Sequence, residues 1–132
     1  MENLSKNQKQ EIVDFFGKTV IEDVRDDSLK FSMGIVNQAT NPVKREQYKV
    51  FETLTNEQKE AVCDLLSETI TNSIYYFLEM FEEHENEMEL LIKKNEKKYD
   101  MVKISEKMGS EIACYGDEGW IQKFSKIGRF VL

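Results

Sequence analysis

The only histidine of the chain, His84, lies within the acidic run Glu82-Glu83-His84-Glu85. Triad-type catalysis needs a histidine or an equivalent base beside a nucleophile. Neighbouring carboxylates favour the charged imidazolium, which cannot accept a proton. This segment therefore predicts a solvated helix end and not a catalytic centre, and we expect no enzymatic activity.

The sequence gives equally little support to a metal site or a nucleotide-binding site. His84 and Glu87 are three residues apart and could both touch a metal, but a helical di-metal site needs two such pairs with further inward carboxylates. No glycine-rich phosphate-binding motif occurs in the sequence. We therefore expect no cofactor and no metal.

The acidic residues between Glu79 and Glu89 predict an exposed surface that is either inert or a docking patch for a basic protein. A formal charge of −7 repels nucleic acid and anionic membranes. The four lysines between Lys93 and Lys98 are interrupted by Glu96 and predict a solvated turn. We expect neither nucleic acid nor a membrane as a partner.

Gly116 and Gly119 flank Asp117-Glu118 and predict a tight corner directly before Trp120. The indole could close one end of the core, with its N–H bonded to a carbonyl, or stand exposed as a binding anchor. Core closure is the favoured interpretation, because Ile121 and Phe124 fit the same buried helical face.

The segment from Ser105 to Ser125 resembles a C-terminal pattern of small uncharacterised bacterial proteins, roughly Ser-x-x-x-Gly-Glu-x-x-Gly-Glu-Asp-Gly-Trp-Ile-x-x-Phe-Ser. Here Ser110 intervenes between Gly109 and Glu111, and the acidic pair is inverted to Asp117-Glu118. The resemblance implies a helix-plus-hairpin fold without an established activity. Small acidic proteins of this sort include immunity proteins that block a toxin.

These observations favour a non-catalytic protein-binding protein, with an immunity protein that masks a basic toxin as its sharpest form. The candidate partner-binding residues are Glu79, Glu82, Glu83, Glu85, Asp117, Glu118 and Trp120. One alternative is a small-ligand-binding or enzymatic domain, with a pocket between a hairpin and the long helix near Tyr75, Tyr76 and Cys63. Another is a homodimeric structural domain without a ligand of its own.

A long helix over about 55–84 is the best-supported element, because apolar residues recur at helical spacing after Thr55. Thr55 with Gln58, like Ser5 with Gln8 before it, forms a capping-box pattern. The apolar arc of the long helix spans about 220°, whereas a surface helix needs about 100°. We therefore expect this helix to be covered on two sides.

The first helix should bend or break near Arg25, because a straight continuation would bring Asp23 and Asp27 onto its apolar side. Residues 28–38 fit either a strand or a helix, and we favour a helix capped by Asp27 and stopped by Asn41-Pro42. The stretch from Val43 to Phe51 predicts a connector with a short helix.

Apolar residues alternate with charged ones from Met88 to Ile92 and again at Val102 and Ile104, which predicts a β-hairpin over about 87–105 packed on the long helix. A short terminal helix follows. The expected fold class is α+β, predominantly α, a helical bundle around one long helix in a single domain over 1–132. Since its N-terminus is polar and no long apolar run occurs, we expect a soluble cytoplasmic protein.

Overall fold

The computed structural model describes residues 4–113 and 118–127, and it begins with an unbroken helical segment. Helix α1 spans Lys6–Thr19, a π-helical stretch spans Val20–Asp26, and α2 spans Asp27–Val36. Ser5 and Gln8 form the capping box of α1. Near Arg25, where the sequence predicts a bend or break, the helix is not broken but changes its winding to a π-helix.

The π-helical stretch explains how the helix continues without burying Asp23 and Asp27. The wider winding changes the angular position of every residue that follows it. Asp23 and Asp27 are exposed as a result, whereas Arg25 and Asp26 are buried. Val24, which the sequence places on the apolar stripe, is 48% exposed.

The helix predicted over residues 28–38 is confirmed as α2, but its boundaries arise differently. Asp27 makes no side-chain cap, since the helix runs through it. The helix ends at Val36, and Gln38 adopts a positive φ of 58°. Pro42 does not stop α2 but occupies the first turn of α3, Pro42–Gln47, with Asn41 as its N-cap. A 3-10 turn, Lys49–Thr53, follows.

The long helix α4 spans Asn56–Glu83 and confirms the central prediction. Thr55 and Gln58 form its capping box, and His84 is its C-cap. The helix packs against α2 on one side and against a 3-10 turn, Gly109–Ala113, on another. Cys63, Ile74 and Leu78 on its inner side are buried.

The predicted hairpin exists within the expected range of about 87–105, but its strands lie closer to the turn than predicted. Strands β1, Leu91–Lys94, and β2, Lys97–Asp100, are antiparallel, and Asn95 and Glu96 both have positive φ, as in a type I′ turn. The lysines predicted to form a solvated turn therefore belong to the strands. Val102 and Ile104 lie in a short helix, α5, Met101–Ile104, which Asp100 caps.

The hairpin has α1 as a main neighbour, whereas the sequence predicts α4. Lys94 Nζ lies 2.8 Å from Glu11 Oε2 on α1, and Ile92 packs against the core. Neither strand is among the main neighbours of α4, and Leu65, Tyr76 and Phe77 on that helix are exposed.

Helix α6, Trp120–Phe124, closes the core as expected. Trp120 is 1% exposed, and its ring meets Phe16 edge-on at a centroid distance of 5.7 Å. A Cβ atom at Gly17 would overlap the indole, so α1 has a glycine there. The N–H of Trp120 finds no hydrogen-bond acceptor within the described part of the chain, contrary to expectation.

The buried apolar core joins α1, the π-helical stretch, α4 and the C-terminal elements. Its members are Ile12, Val13, Ile21, Ile74, Leu78, Met101, Met108, Ile112, Trp120 and Ile121. The architecture is α+β and predominantly α, with one two-stranded sheet among the described residues.

Candidate binding surface

The outward side of α4 carries large apolar side chains that no other described element covers. Leu65 is 62% exposed, Tyr76 is 68% exposed and Phe77 is 55% exposed. The two elements that mainly cover α4, namely α2 and the 3-10 turn Gly109–Ala113, therefore leave these residues of its apolar arc exposed. Exposed apolar residues are common singly, but several on one helix face mark an interaction site.

The centre of this side is free of charge over most of the helix. At about 100° per residue, one outward line contains Gln58, Ala61, Leu65, Thr69, Asn72 and Tyr76. All six are exposed, and carboxylates reach the line only near the end of the helix, at Glu79 and Glu83. We call this line, together with its two edges, the α4 outer face.

The two edges of the α4 outer face differ in charge. Along one edge lie Glu57, Asp64, Glu68, Glu79 and Glu82. The other edge begins with the basic Lys59 and has no further charge within α4. Its remaining residues include Val62, Leu66, Ser73, Phe77 and Met80. An uncharged stripe with a single acidic edge is the result.

The inner side of α4 is polar where the helix meets the buried guanidinium of Arg25, which is 0% exposed. Arg25 Nε donates to Thr71 Oγ1 at 3.2 Å, and Nη2 donates to Ser67 Oγ at 3.2 Å. Both hydroxyl residues are buried. Burial lowers the pKa of Arg25, although the adjacent Asp26 carboxylate opposes that shift.

Asp26 completes this buried polar cluster and ties it to the end of the described chain. Arg25 Nη1 lies 2.9 Å from Asp26 Oδ1, which also accepts from Ser125 Oγ at 2.9 Å. The backbone N–H of Lys126 donates to Asp26 Oδ2 at 2.7 Å. These contacts join α4 to the segment after α6 through the π-helical stretch, so the cluster is structural.

Two of the predicted partner-binding carboxylates have contacts within the fold. Glu82 Oε1 accepts from the backbone N–H of Met108 at 2.7 Å and so anchors the loop before the second 3-10 turn. Tyr75 donates a hydrogen bond to Glu79, and this contact raises the pKa of the Tyr75 hydroxyl. Both carboxylates still lie on the acidic edge of the α4 outer face.

The remaining predicted residues do not gather at one place. Glu83 and Glu85 are exposed at the end of α4, and Glu118 is exposed before α6. Asp117 lies outside the described residues. Trp120 belongs to the core, so its indole cannot serve as an exposed anchor in this structure.

The sequence prediction missed Leu65, Tyr76 and Phe77 as a binding surface. The signal was present in the width of the apolar arc, which exceeds what a helix needs to pack on one core. From that width we expect other elements of the same chain to pack on two sides of the helix, whereas the described elements cover only the inner part of the arc.

Residues 4–113 and 118–127 give little structural support to a metal site or a membrane-spanning helix. No three metal-ligating side chains of this part of the chain converge, although His84 Nδ1 lies 3.2 Å from Glu87 Oε1. No described helix combines the length and apolar character needed to cross a bilayer.

Comparison with known proteins adds no relative to these observations. The chain matches no protein-family model, no curated protein and no solved structure. A binding role of the α4 outer face therefore rests on its own geometry and charge.

Proposed function

We propose that this chain is a non-catalytic protein-binding protein that docks a basic partner on the α4 outer face. The observation that carries this proposal is the uncharged stripe through Leu65 and Tyr76, exposed to solvent and bordered on one side only by carboxylates. Aromatic side chains in the centre of an interface commonly supply most of its binding free energy. Tyr76 is such an anchor, and Phe77 adds exposed aromatic surface at the uncharged edge.

The shape of the surface favours a helical partner. Leu65 and Tyr76 are separated by about 16 Å along the helix axis, which corresponds to about three turns of a second helix packed alongside. An amphipathic helix places its own apolar residues at i, i+3, i+4 and i+7 on such a stripe. Its lysine or arginine residues would lie along the edge that contains Glu57 and Glu68.

The charge pattern disfavours a second copy of this chain in the antiparallel arrangement. A twofold axis across two antiparallel α4 helices places the acidic edge of one copy against the acidic edge of the other. Like charges brought together at an interface cost free energy and oppose association. A basic partner converts the same carboxylates into attraction.

An immunity protein that masks a basic toxin, such as a nuclease, is the sharpest form of this proposal. Carboxylates beside an apolar stripe would compete with the nucleic acid substrate for the basic surface of the toxin and speed the encounter. A toxin gene adjacent to the gene for this chain, whose product binds it tightly, would support that form.

The proposal can be tested with two designed helical peptides of identical composition. In one peptide the lysines follow a single edge of a leucine stripe, and in the other they are spread around the helix. We expect the first peptide to bind at least tenfold more tightly, with an affinity that falls as salt increases. Equal binding, or no binding of either peptide, would contradict the proposal.

Substitutions in the chain test whether the edge-matched peptide binds at the α4 outer face. Leu65→Ala with Tyr76→Ala should weaken binding of the edge-matched peptide at least tenfold. Glu57→Lys with Glu68→Lys should weaken it and flatten its salt dependence. Glu83→Lys with Glu85→Lys should have a smaller effect on the affinity, because these residues lie at the end of the stripe.

The matched control is Glu46→Lys with Glu52→Lys, since both residues are exposed on other elements. This variant should leave the affinity unchanged.

A further inference from the structure

A cavity of about 690 Å³ lies between α1 and the segment that follows α5. Its walls come from Lys6, Lys9, Gln10 and Val13 on α1, and from Ile104 to Lys107 and Glu111 on the other side. None of these residues belongs to α4, so the cavity is separate from the α4 outer face. Volumes of about 300–1,000 Å³ are typical of small-molecule sites.

A buried carboxylate lines the cavity. Glu111 is 8% exposed, and its Oε2 accepts a hydrogen bond from Ser105 Oγ at 3.1 Å. Ser105 is itself 3% exposed, and its hydroxyl oxygen accepts from the backbone N–H of Lys107 at 3.3 Å. Ser105 therefore holds the Glu111 carboxyl in a fixed orientation, and the backbone of Lys107 holds Ser105 in turn. Burial raises the pKa of the Glu111 carboxyl, so a cationic partner there would be favourable.

The rim of the cavity has the opposite charge. Lys6 and Lys9 are exposed, and the side chain of Lys107 is 50% exposed. Lys107 Nζ lies 3.8 Å from Glu111 Oε1, a long distance for an ion pair. Glu106 is the one carboxylate among the lining residues besides Glu111. Buried Val13 and half-buried Ile104 supply the apolar part of the wall.

We propose that this cavity binds a small zwitterionic molecule, with an amine directed at Glu111 and a carboxylate or phosphate directed at the rim lysines. Three observations support this ligand class: the Glu111 carboxylate is buried, Lys6 and Lys9 are exposed at the mouth, and Val13 and Ile104 add apolar wall. An amine on Glu111 gains a charge-assisted hydrogen bond in a site with little water. The acidic end remains partly solvated beside the flexible lysines.

Three probes of equal chain length separate the contributions of the two poles. 6-Aminohexanoate has both charges, hexylamine has only the amine, and hexanoate has only the carboxylate. In titrations followed by the backbone amide signals of residues 104–111, we expect saturable shifts with 6-aminohexanoate at an affinity at least fivefold above either other probe. Absence of saturable shifts, or equal affinity for hexanoate, would overturn the proposal.

Two substitutions assign the poles to residues. Glu111→Gln keeps an oxygen that can accept from Ser105 and should weaken hexylamine and 6-aminohexanoate at least fivefold. Lys9→Gln should weaken 6-aminohexanoate while leaving hexylamine unchanged. Glu87→Gln, exposed after α4, is the control for loss of one negative charge. Unchanged binding by Glu111→Gln would exclude the buried pole, and if that variant does not fold, the Lys9→Gln pattern decides. Neither result bears on peptide binding at the α4 outer face.

Discussion

The two sides of α4 each depart at a few positions from the usual distribution of polar and apolar residues. Its inner side includes the buried hydroxyls of Ser67 and Thr71, which accept hydrogen bonds from Arg25. Its outer side exposes Leu65 and Tyr76 to solvent. A helix selected only for stability would place hydroxyls outside and apolar side chains inside.

Each side has its own physical explanation. The inner hydroxyls compensate a buried cation, because a guanidinium without hydrogen-bond partners would be costly to remove from water. The outer apolar residues are not covered by any other described element. Exposed apolar residues that break the usual pattern are expected at functional surfaces. Stability should therefore depend on the inner polar groups, and binding should depend on the outer apolar groups.

The largest expected effect comes from Arg25→Met, which removes the cation and leaves the Asp26 carboxylate buried without its guanidinium partner. We expect the free energy of unfolding to fall by about 3–5 kcal/mol, measured by urea denaturation. Arg45→Met on exposed α3 is the control and should change stability by less than about 0.5 kcal/mol. A loss below about 1 kcal/mol for Arg25→Met would show that the buried cluster is not required for stability.

A smaller effect separates the two sides of α4 directly. Ser67→Ala removes a hydroxyl that accepts from buried Arg25 and should lower the free energy of unfolding by about 1–3 kcal/mol. Leu65→Ala removes a much larger apolar group, yet it should change stability by less than about 0.5 kcal/mol, because the side chain is exposed. If Leu65→Ala proved the more destabilising change, the proposed division between the two sides of α4 would be wrong.

The smallest effect concerns Glu111, a buried charge with fewer partners than Arg25. Burial is the main cause that raises its pKa above the ordinary 4.5, while Lys107 and Lys123 oppose the shift and Asp14 adds to it. Because the folded state holds this proton more tightly, its contribution to stability is present below the unfolded pKa and is lost as the pH rises through the folded pKa.

Glu111→Gln removes this titration. We therefore expect the stability of the variant relative to the natural chain to increase between about pH 4 and pH 7, as followed by thermal unfolding. Glu106→Gln, an exposed neighbour, should show no such trend. A constant difference between Glu111→Gln and the natural chain across this range would mean that burial does not perturb the carboxyl.

Local signals in the sequence accounted for much of the helical architecture. The capping boxes at Ser5 and Thr55 predicted where α1 and α4 begin, because their hydrogen bonds involve residues only three positions apart. Helical spacing likewise identified α4. The hairpin was predicted, but its register was not, since Asn95-Glu96 form a two-residue turn without the usual glycine.

The candidate surface required tertiary information. Glu79, Glu82 and Glu83 lie on or beside it, but the sequence assigned Trp120 to it as well, and that indole is in the core. Periodicity measures how wide an apolar arc is, yet it does not say which part of the arc the rest of the chain covers.

The sequence by itself determined that the chain is predominantly helical and where α1 and α4 begin, because capping and periodicity act over a few residues. Only the tertiary structure decided that Arg25 is buried, that the hairpin lies against α1, and that Leu65 and Tyr76 face solvent. These outcomes depend on contacts between residues tens of positions apart, such as Arg25 with Ser67, and no local pattern encodes such pairings.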